Sequence, residues 1–428
     1  MQKVLIITYY WPPAGGPGVQ RWLKFVKYLV ELSFEPIVFI PENPNYPLID
    51  ASLLDEIPKG VRIIRQPIFE PYKWAAILSK QKAKQISSGI IQEYNKQSSL
   101  ERLLLWVRGN FFIPDARKYW IKPSIRRLKK IIEEEKIQFV VTTGPPHSMH
   151  LIGKAIKESF PIKWIADFRD PWTSIGYHKK LMLTRDAQKK HKQLEKRVLR
   201  AADEIIVTSK TTRQEFIQLT TKPITVITNG YDGEPPRQEL DQNFTISHIG
   251  SLLTDRNPQN FWKAIAELVQ ENDSFKSAIK VKLIGVIGYS VMKQIEDLDI
   301  EDYVEIIGYV SHNQVLKYQT QSQMLLLLEI DSEETRGIIP GKLFEYFNAR
   351  RPIFAIGPKH WEAGEMVKAH EAGDYSMHSD KENIKKVLLK RFEQFKSGTL
   401  EINSKSIKQY HRFELTRKLA KSLTWESF

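Results

Sequence analysis

The chain has 428 residues, 64 Lys+Arg against 50 Asp+Glu for a formal net charge of +14, no cysteine, and 42% hydrophobic residues. That length predicts two domains at ~100–200 residues each, and the lack of cysteine excludes disulfides and thiolate metal sites. No apolar run approaches the ~20 residues of a membrane-spanning helix. The chain also enters an apolar strand without a basic leader or cleavage site, so a cytoplasmic protein without a signal peptide is expected.

The first predicted strand, Val4 to Thr8, runs directly into YYWPPAGGPGVQRWLKFVKYL. Proline fixes φ and removes a donor, whereas glycine permits conformations that other residues avoid, so this is a shaped loop. Trp22, Phe25, Val26 and Leu29 then recur at helical spacing. A strand, a loop holding Gly15, Gly16 and Gly18, and a helix together point backbone N–H groups at a phosphate. The same geometry also serves as a tight turn that seats a helix on a sheet, and the glycines alone leave both readings open.

Further strands are predicted at Pro36–Ile40 and at the VRIIRQ run, followed by a different kind of segment from Lys73 to Lys136. There, basic residues interleave with Trp74, Trp106, Phe111, Phe112, Tyr119 and Trp120. Such amphipathic stretches either lie on an anionic membrane surface or cover a sheet as ordinary helices. Residues 1–200 carry 35 Lys+Arg and 18 Asp+Glu (+17), whereas residues 201–428 carry 29 and 32 (−3). The whole excess lies in the first half, which suggests an anionic partner for it. No nucleic-acid reading motif accompanies the charge, so no nucleic acid is expected.

Strands at Phe139–Gly144 and Lys163–Phe168 end in chemistry-bearing residues. The first leads through Gly-Pro-Pro to His147, and the second carries Asp167 and is followed by Arg169 and Asp170. In open α/β sheets ligands bind beyond the carboxyl ends of strands, which makes these endings site candidates. A Gly-, Pro- and charge-rich stretch, Asn229–Asn243, marks a boundary, and a second set of strands follows from Phe244, including KVKLIG, VEIIG, MLLLLEI and PIFAIG. Strands alternating with helical patterns predict parallel sheets covered by helices. Near the end of this set, Pro340 and Gly341 precede Lys342 and Glu345, whose spacing of three puts them on one helical face.

The order of YYWPPAGGPGVQRWLKFVKYL, ADEIIVTSKTTRQEF, VEIIGYVSHNQVLKYQTQSQMLLLLE and PGKLFEYFNARRPIFAIG resembles retaining glycosyltransferases of the GT-B fold, family 4 (group 1), over nearly the whole chain. IIPGKLFEY is similar to a subgroup common among bacterial surface-polysaccharide enzymes. The resemblance implies an α/β protein with two Rossmann-like domains whose parallel sheets face a central cleft. The acceptor-binding domain would span residues 1–210 with a crossing helix from about residue 406 to 428. The nucleotide-sugar-binding domain would span residues 211–405.

By the same resemblance, Glu345 would hold the donor ribose, and the loop glycines Gly15 and Gly16 would approach the donor diphosphate with Arg256 and Lys342. His147 would lie near the transferred sugar, and His147 or Asp170 would orient sugar or acceptor. Ser251 stands where the family has an Arg, and Gly337 stands where it has the first of two paired glutamates. The implied reaction moves a sugar from a nucleotide-sugar donor to a glycan or lipid-linked acceptor, with no cofactor and no metal. A nucleotide-sugar epimerase of the same fold and a non-catalytic sugar-binding homologue remain alternatives. An NAD-dependent oxidoreductase fits poorly, because AGGPGVQ lacks the full dinucleotide spacing and no acidic residue ends the second strand.

Overall fold

The computed structural model describes residues 1–71, 99–402 and 404–425. It divides into one unit of Met1–Asn229 with Arg412–Phe428, and a second of Gly230–His411. The boundary therefore follows Asn229 and not residue 210. The run ITVITNG supplies β7 (Ile224–Val226), which pairs in parallel with β6 (Glu204–Val207) and so belongs to the first sheet. The C-terminal return likewise begins at Arg412 and not near residue 406. Tyr410 packs on Phe344 and Phe347 of the second unit, at ring distances of 5.1 and 6.1 Å.

The first unit is a seven-stranded parallel sheet in the order β3-β2-β1-β4-β5-β6-β7. Its other strands are β1 (Gln2–Ile7), β2 (Phe34–Pro41), β3 (Arg62–Gln66), β4 (Phe139–Gly144) and β5 (Lys163–Phe168). Its longer helices are α1 (Pro17–Glu31), α2 (Ser99–Phe111), α3 (Lys118–Glu135), α4 (Ser148–Lys157), α5 (Arg185–Ala201) and α6 (Lys210–Phe216), plus a C-terminal helix, Arg412–Ser422. All six residues of β4 are buried, because helices cover both faces of the sheet. The segment Lys73–Lys136 is described only in part, since residues 72–98 lie outside the described residues. Its helix α3 is a sheet-covering helix whose Trp120, Leu128, Ile131 and Ile132 join the first core, with Trp120 stacked on Phe39 at 5.2 Å. Among the described residues no helix is long and apolar enough to cross a membrane.

The second unit is a six-stranded parallel sheet in the order β10-β9-β8-β11-β12-β13. The strands are β8 (Phe244–Ile249), β9 (Ile279–Ile284), β10 (Val304–Gly308), β11 (Met324–Leu328), β12 (Ile353–Gly357) and β13 (Gly373–Met377). Its longer helices are α7 (Gln259–Glu271), α8 (Tyr289–Asp297), α9 (His312–Gln321), α10 (Lys342–Ala349), α11 (Glu362–Ala369) and α12 (Lys381–Lys396). The run MLLLL of β11 serves two cores at once. Met324, Leu326 and Leu328 face one, and Leu325 and Leu327 face the other, as the two-residue period of a strand requires.

Both sheets reverse their strand order once, between β1 and β4 in the first and between β8 and β11 in the second. Such reversals leave a crevice at the carboxyl ends of the flanking strands, where ligands of α/β proteins bind. The first unit carries 42 Lys+Arg against 23 Asp+Glu (+19), and the second carries 22 against 27 (−5).

Candidate active site

At the reversal of the first sheet, β1 leads into the glycine-rich loop. Gly16 caps α1 with φ +103°, a conformation that strains any side chain. Pro17, the first residue of α1, suits a helix start because its missing N–H would have no partner there. The Gly15 N–H is already committed to the Leu48 carbonyl at 3.0 Å. Gly18 faces the Arg169 guanidinium, and a Cβ placed on it would stand 1.5 Å from Nη1. Close approach at Gly18 is therefore to a side chain of the protein itself.

Beyond β4 the Gly-Pro-Pro turn presents His147 at the start of α4. His147 is 4% exposed and its ring lies face to face with Trp172 at 4.8 Å, and among the described residues neither nitrogen has a hydrogen-bond partner. Burial, with the Arg169 guanidinium nearby, holds His147 well below the usual histidine range and therefore neutral at pH 7. His150 is lowered to about 3 by burial, and its Nδ1 lies 2.9 Å from Thr142 Oγ1.

The strand β5 delivers Asp167 and Asp170 to different settings. Asp167 is fully buried and accepts hydrogen bonds from Arg21 (2.9 Å), Trp22 (2.8 Å) and Thr143 (2.8 Å), which makes it a fastener between α1, β4 and β5. Asp170 is only half-buried. Its pKa is raised, first by burial and then by Asp167, with the Arg169 charge acting against them.

At the reversal of the second sheet, β8 and β11 share only the pairs Ile246–Met324 and Ser247–Leu325 before they part. Side chains take over the backbone groups this strands. The Ile249 N–H donates to Tyr346 Oη (3.2 Å), the Ile249 carbonyl accepts from Lys342 Nζ (2.7 Å), and His248 Nδ1 lies 3.2 Å from the Leu326 carbonyl.

Lys342 is the first residue of α10, so its amine and the positive end of that helix act together. Burial, followed by the charge of Arg256, lowers its pKa to about 7. Arg256 stands in a short turn, Thr254–Arg256, after β8. It pairs with Glu329, one residue past β11, through Nε (3.1 Å) and Nη2 (3.0 Å). Glu329 is 0% exposed whereas the Arg256 side chain is 38% exposed, so a buried anion holds a cation at the crevice. Glu345 accepts from Gln319 of α9 at 3.0 Å, while the Lys342 amine is engaged by the Ile249 carbonyl.

Gly15, Gly16, His147 and Asp170 thus lie in the first unit, and Arg256, Lys342 and Glu345 in the second. The sequence alone assigns no role to Glu329, and it marks Arg169 only as part of a candidate strand ending. Glu329 carries one signal there, a carboxylate directly after a run of four buried leucines. A charge so deeply buried needs a partner, and the partner is Arg256.

Residues 89–234 match the family model described as Glycosyltransferase Family 4. No curated protein matches the chain by sequence. Among solved structures, TarM of S. aureus is similar at 12% identity with a TM-score of 0.65, the alignment covering 99% of each chain. Anabaena Alr3699/HepE in complex with UDP-glucose is similar at 12% identity and TM-score 0.61, again over 99% of each chain. A UDP-N-acetylglucosamine 2-epimerase follows at 13% identity and TM-score 0.53, over 99% of this chain and 95% of that one. Residues 89–234 thus match family 4, and the chain shares the GT-B fold with these structures along its length.

Proposed function

We propose that the protein is a retaining glycosyltransferase that moves a sugar from a nucleoside-diphosphate sugar to a glycan or lipid-linked acceptor in cell-surface polysaccharide synthesis. The observation that carries this reading is the pair of cations, Lys342 and Arg256, at the carboxyl ends of β8 and β11 where the strands part. As the glycosidic bond breaks, negative charge grows on the leaving diphosphate. Lys342 and Arg256 stabilise that charge from the strand ends, and preorganised charge of this kind usually contributes most to such catalysis.

Glu345 holds the ribose diol from the same helix. Gly16 lets the first-unit loop approach the donor, while the Gly15 amide reaches a ligand only by releasing Leu48. His147, held neutral, orients the transferred sugar by hydrogen bonding and not as a cation. Asp170 orients the acceptor hydroxyl, which attacks from the face the nucleotide leaves, so the anomeric configuration is retained. Nothing in this scheme requires a metal or a cofactor.

The donor class is supported by a neighbour crystallised with UDP-glucose and another with UDP. The acceptor class is supported by the +19 charge of the first unit, which favours an anionic glycan or lipid-linked diphosphate at a cytoplasmic membrane face.

The test is a thermal melt of the full chain with UDP, GDP, ADP, CMP or NAD, with and without magnesium, repeated with Glu345→Ala. A ligand that binds only the native state stabilises it by ~2.7 kcal/mol at one hundred times its Kd. One nucleoside diphosphate should raise the midpoint without magnesium, and the shift should vanish in the variant. A shift with NAD alone overturns the reading. Interconversion of a sugar nucleotide with no acceptor present would make the protein an epimerase instead.

A further inference from the structure

Arg169 has no place in the scheme above, yet its side chain is held at two points beside the first strand reversal. From Nε it donates to the Gly144 carbonyl at 3.3 Å, and from Nη2 to the Pro145 carbonyl. Its own backbone N–H donates to the same Gly144 carbonyl at 3.0 Å, and its carbonyl accepts from Thr208 Oγ1 at 2.8 Å. The clasped turn needs such a clamp, because Pro145 and Pro146 have no N–H with which to close it. The residue that leaves this turn is His147. Three positions beyond Arg169, Trp172 stacks on the His147 ring with the two planes 2° apart, and it is itself anchored by donating Nε1 to His191 Nδ1 at 3.1 Å. One short stretch, Arg169 to Trp172, therefore holds both the backbone that presents His147 and the face of its ring.

The other side of the guanidinium abuts Gly18 in the first turn of α1. An added Cβ would stand 1.5 Å from Nη1 and 2.8 Å from Cζ, so a side chain at position 18 and the guanidinium cannot occupy this arrangement together.

We propose that Arg169 is a positioning residue for His147, wedged between α1 and the Gly-Pro-Pro turn, and that Gly18 is glycine to admit it. This explains one glycine of the loop without a ligand. It also fixes what Arg169 does: it acts through the turn, and the planar fork of a guanidinium reaches two carbonyls from two separate nitrogens, where a lysine has a single nitrogen. The functional weight of the arrangement rests on the role proposed for His147 at the transferred sugar, whereas the positioning itself does not.

The experiment is a double-mutant cycle on the full chain with Gly18→Ala, Arg169→Ala and the pair. It is read by the ring ¹H and ¹⁵N shifts of His147, assigned with His147→Gln, because stacking on Trp172 gives that ring a distinctive ring-current shift. Each single variant should move the His147 signals in the same direction. In the Arg169→Ala background, Gly18→Ala should add nothing, since the space is then vacant. Arg169→Lys, which keeps length and charge but offers a single donor nitrogen, should fall between wild type and Arg169→Ala, and it supplies the measurement should the alanine variant fail to fold. His147 signals unmoved by loss or replacement of the guanidinium, or fully additive effects of the two substitutions, overturn the proposal.

Turnover of a nucleotide sugar separates the two readings. If the His147 signals shift and kcat falls while nucleoside-diphosphate affinity holds, both stand. If the signals shift and kcat is unchanged, Arg169 still positions the ring but His147 loses its role at the transferred sugar.

Discussion

In the first sheet the strands flanking the reversal stay paired, from Val4–Phe139 to Ile7–Thr142, whereas in the second β8 and β11 part after two pairs. The polar groups differ accordingly. Around β4 and β5 they lock one another: Trp164 donates to Thr142, Thr142 meets His150, and Asp167 collects three donors. Around β8 and β11, long cationic side chains rest on a carbonyl and a carboxylate, each with donors to spare. A strand end filled with short, buried and mutually bonded groups is built to keep its shape. One where lysine and arginine substitute for ladder bonds is built to exchange partners.

Asp167→Ala should break this contrast most severely, since it leaves Arg21 buried without its anion and costs about 3–5 kcal/mol. Urea unfolding monitored by tryptophan fluorescence would measure it, and a loss under ~1 kcal/mol would show that the first strand end is not the locked one.

The next effect is in pH. A Lys342 amine at about pH 7 in the free protein must be protonated to grip a diphosphate, so binding takes up a proton. Diphosphate affinity should then fall as pH rises above 7, by up to about tenfold per unit. Stability without ligand should run the other way. The unfolded lysine titrates near its ordinary value of about 10.4, so between pH 7 and 10 the unfolded state binds more protons and the native state gains as pH rises. Both trends should flatten in Lys342→Gln, by calorimetry in buffers of different ionisation enthalpy and by thermal melts. Affinity independent of pH in the wild type would remove Lys342 from the site.

Glu329→Gln keeps the shape but takes the anion from under Arg256, and should cost about 1–3 kcal/mol in chemical denaturation. Smallest is Glu267→Gln on the surface of α7, paired with Lys381 and Lys385. It should change stability by no more than about 1 kcal/mol, an effect that salt erases.

Much of the architecture is legible in the sequence because fully buried parallel strands are nearly unbroken apolar runs, and VLII, MLLLL and IFAIG each read that way. The order in which strands pair is not legible, and with it goes the location of the two crevices. ITVITNG reads as part of the second domain for the same reason: its partner, β6, is identified only by pairing. Lys342 and Glu345 stand out by helical spacing, but their actual partners, Ile249 and Gln319, are distant in sequence. Asp167 looks like site chemistry and proves to be a fastener, because Arg21 and Trp22, some 145 residues away, surround it. Gly18 looks like a phosphate contact for want of any sign that Arg169 lies against it.

The bond from Lys342 to the Ile249 carbonyl has a consequence for selectivity. Any anion entering the crevice must outcompete a carbonyl that already holds the amine, so binding there is a swap and not an addition. A monovalent or diffuse anion gains little from the trade. A ligand with two adjacent charged groups can offset the lost bond through Arg256 as well. Competition melts with chloride, inorganic phosphate and pyrophosphate would read this directly: pyrophosphate alone should shift the midpoint at millimolar concentration, and an equal shift with phosphate would show that the carbonyl imposes no threshold.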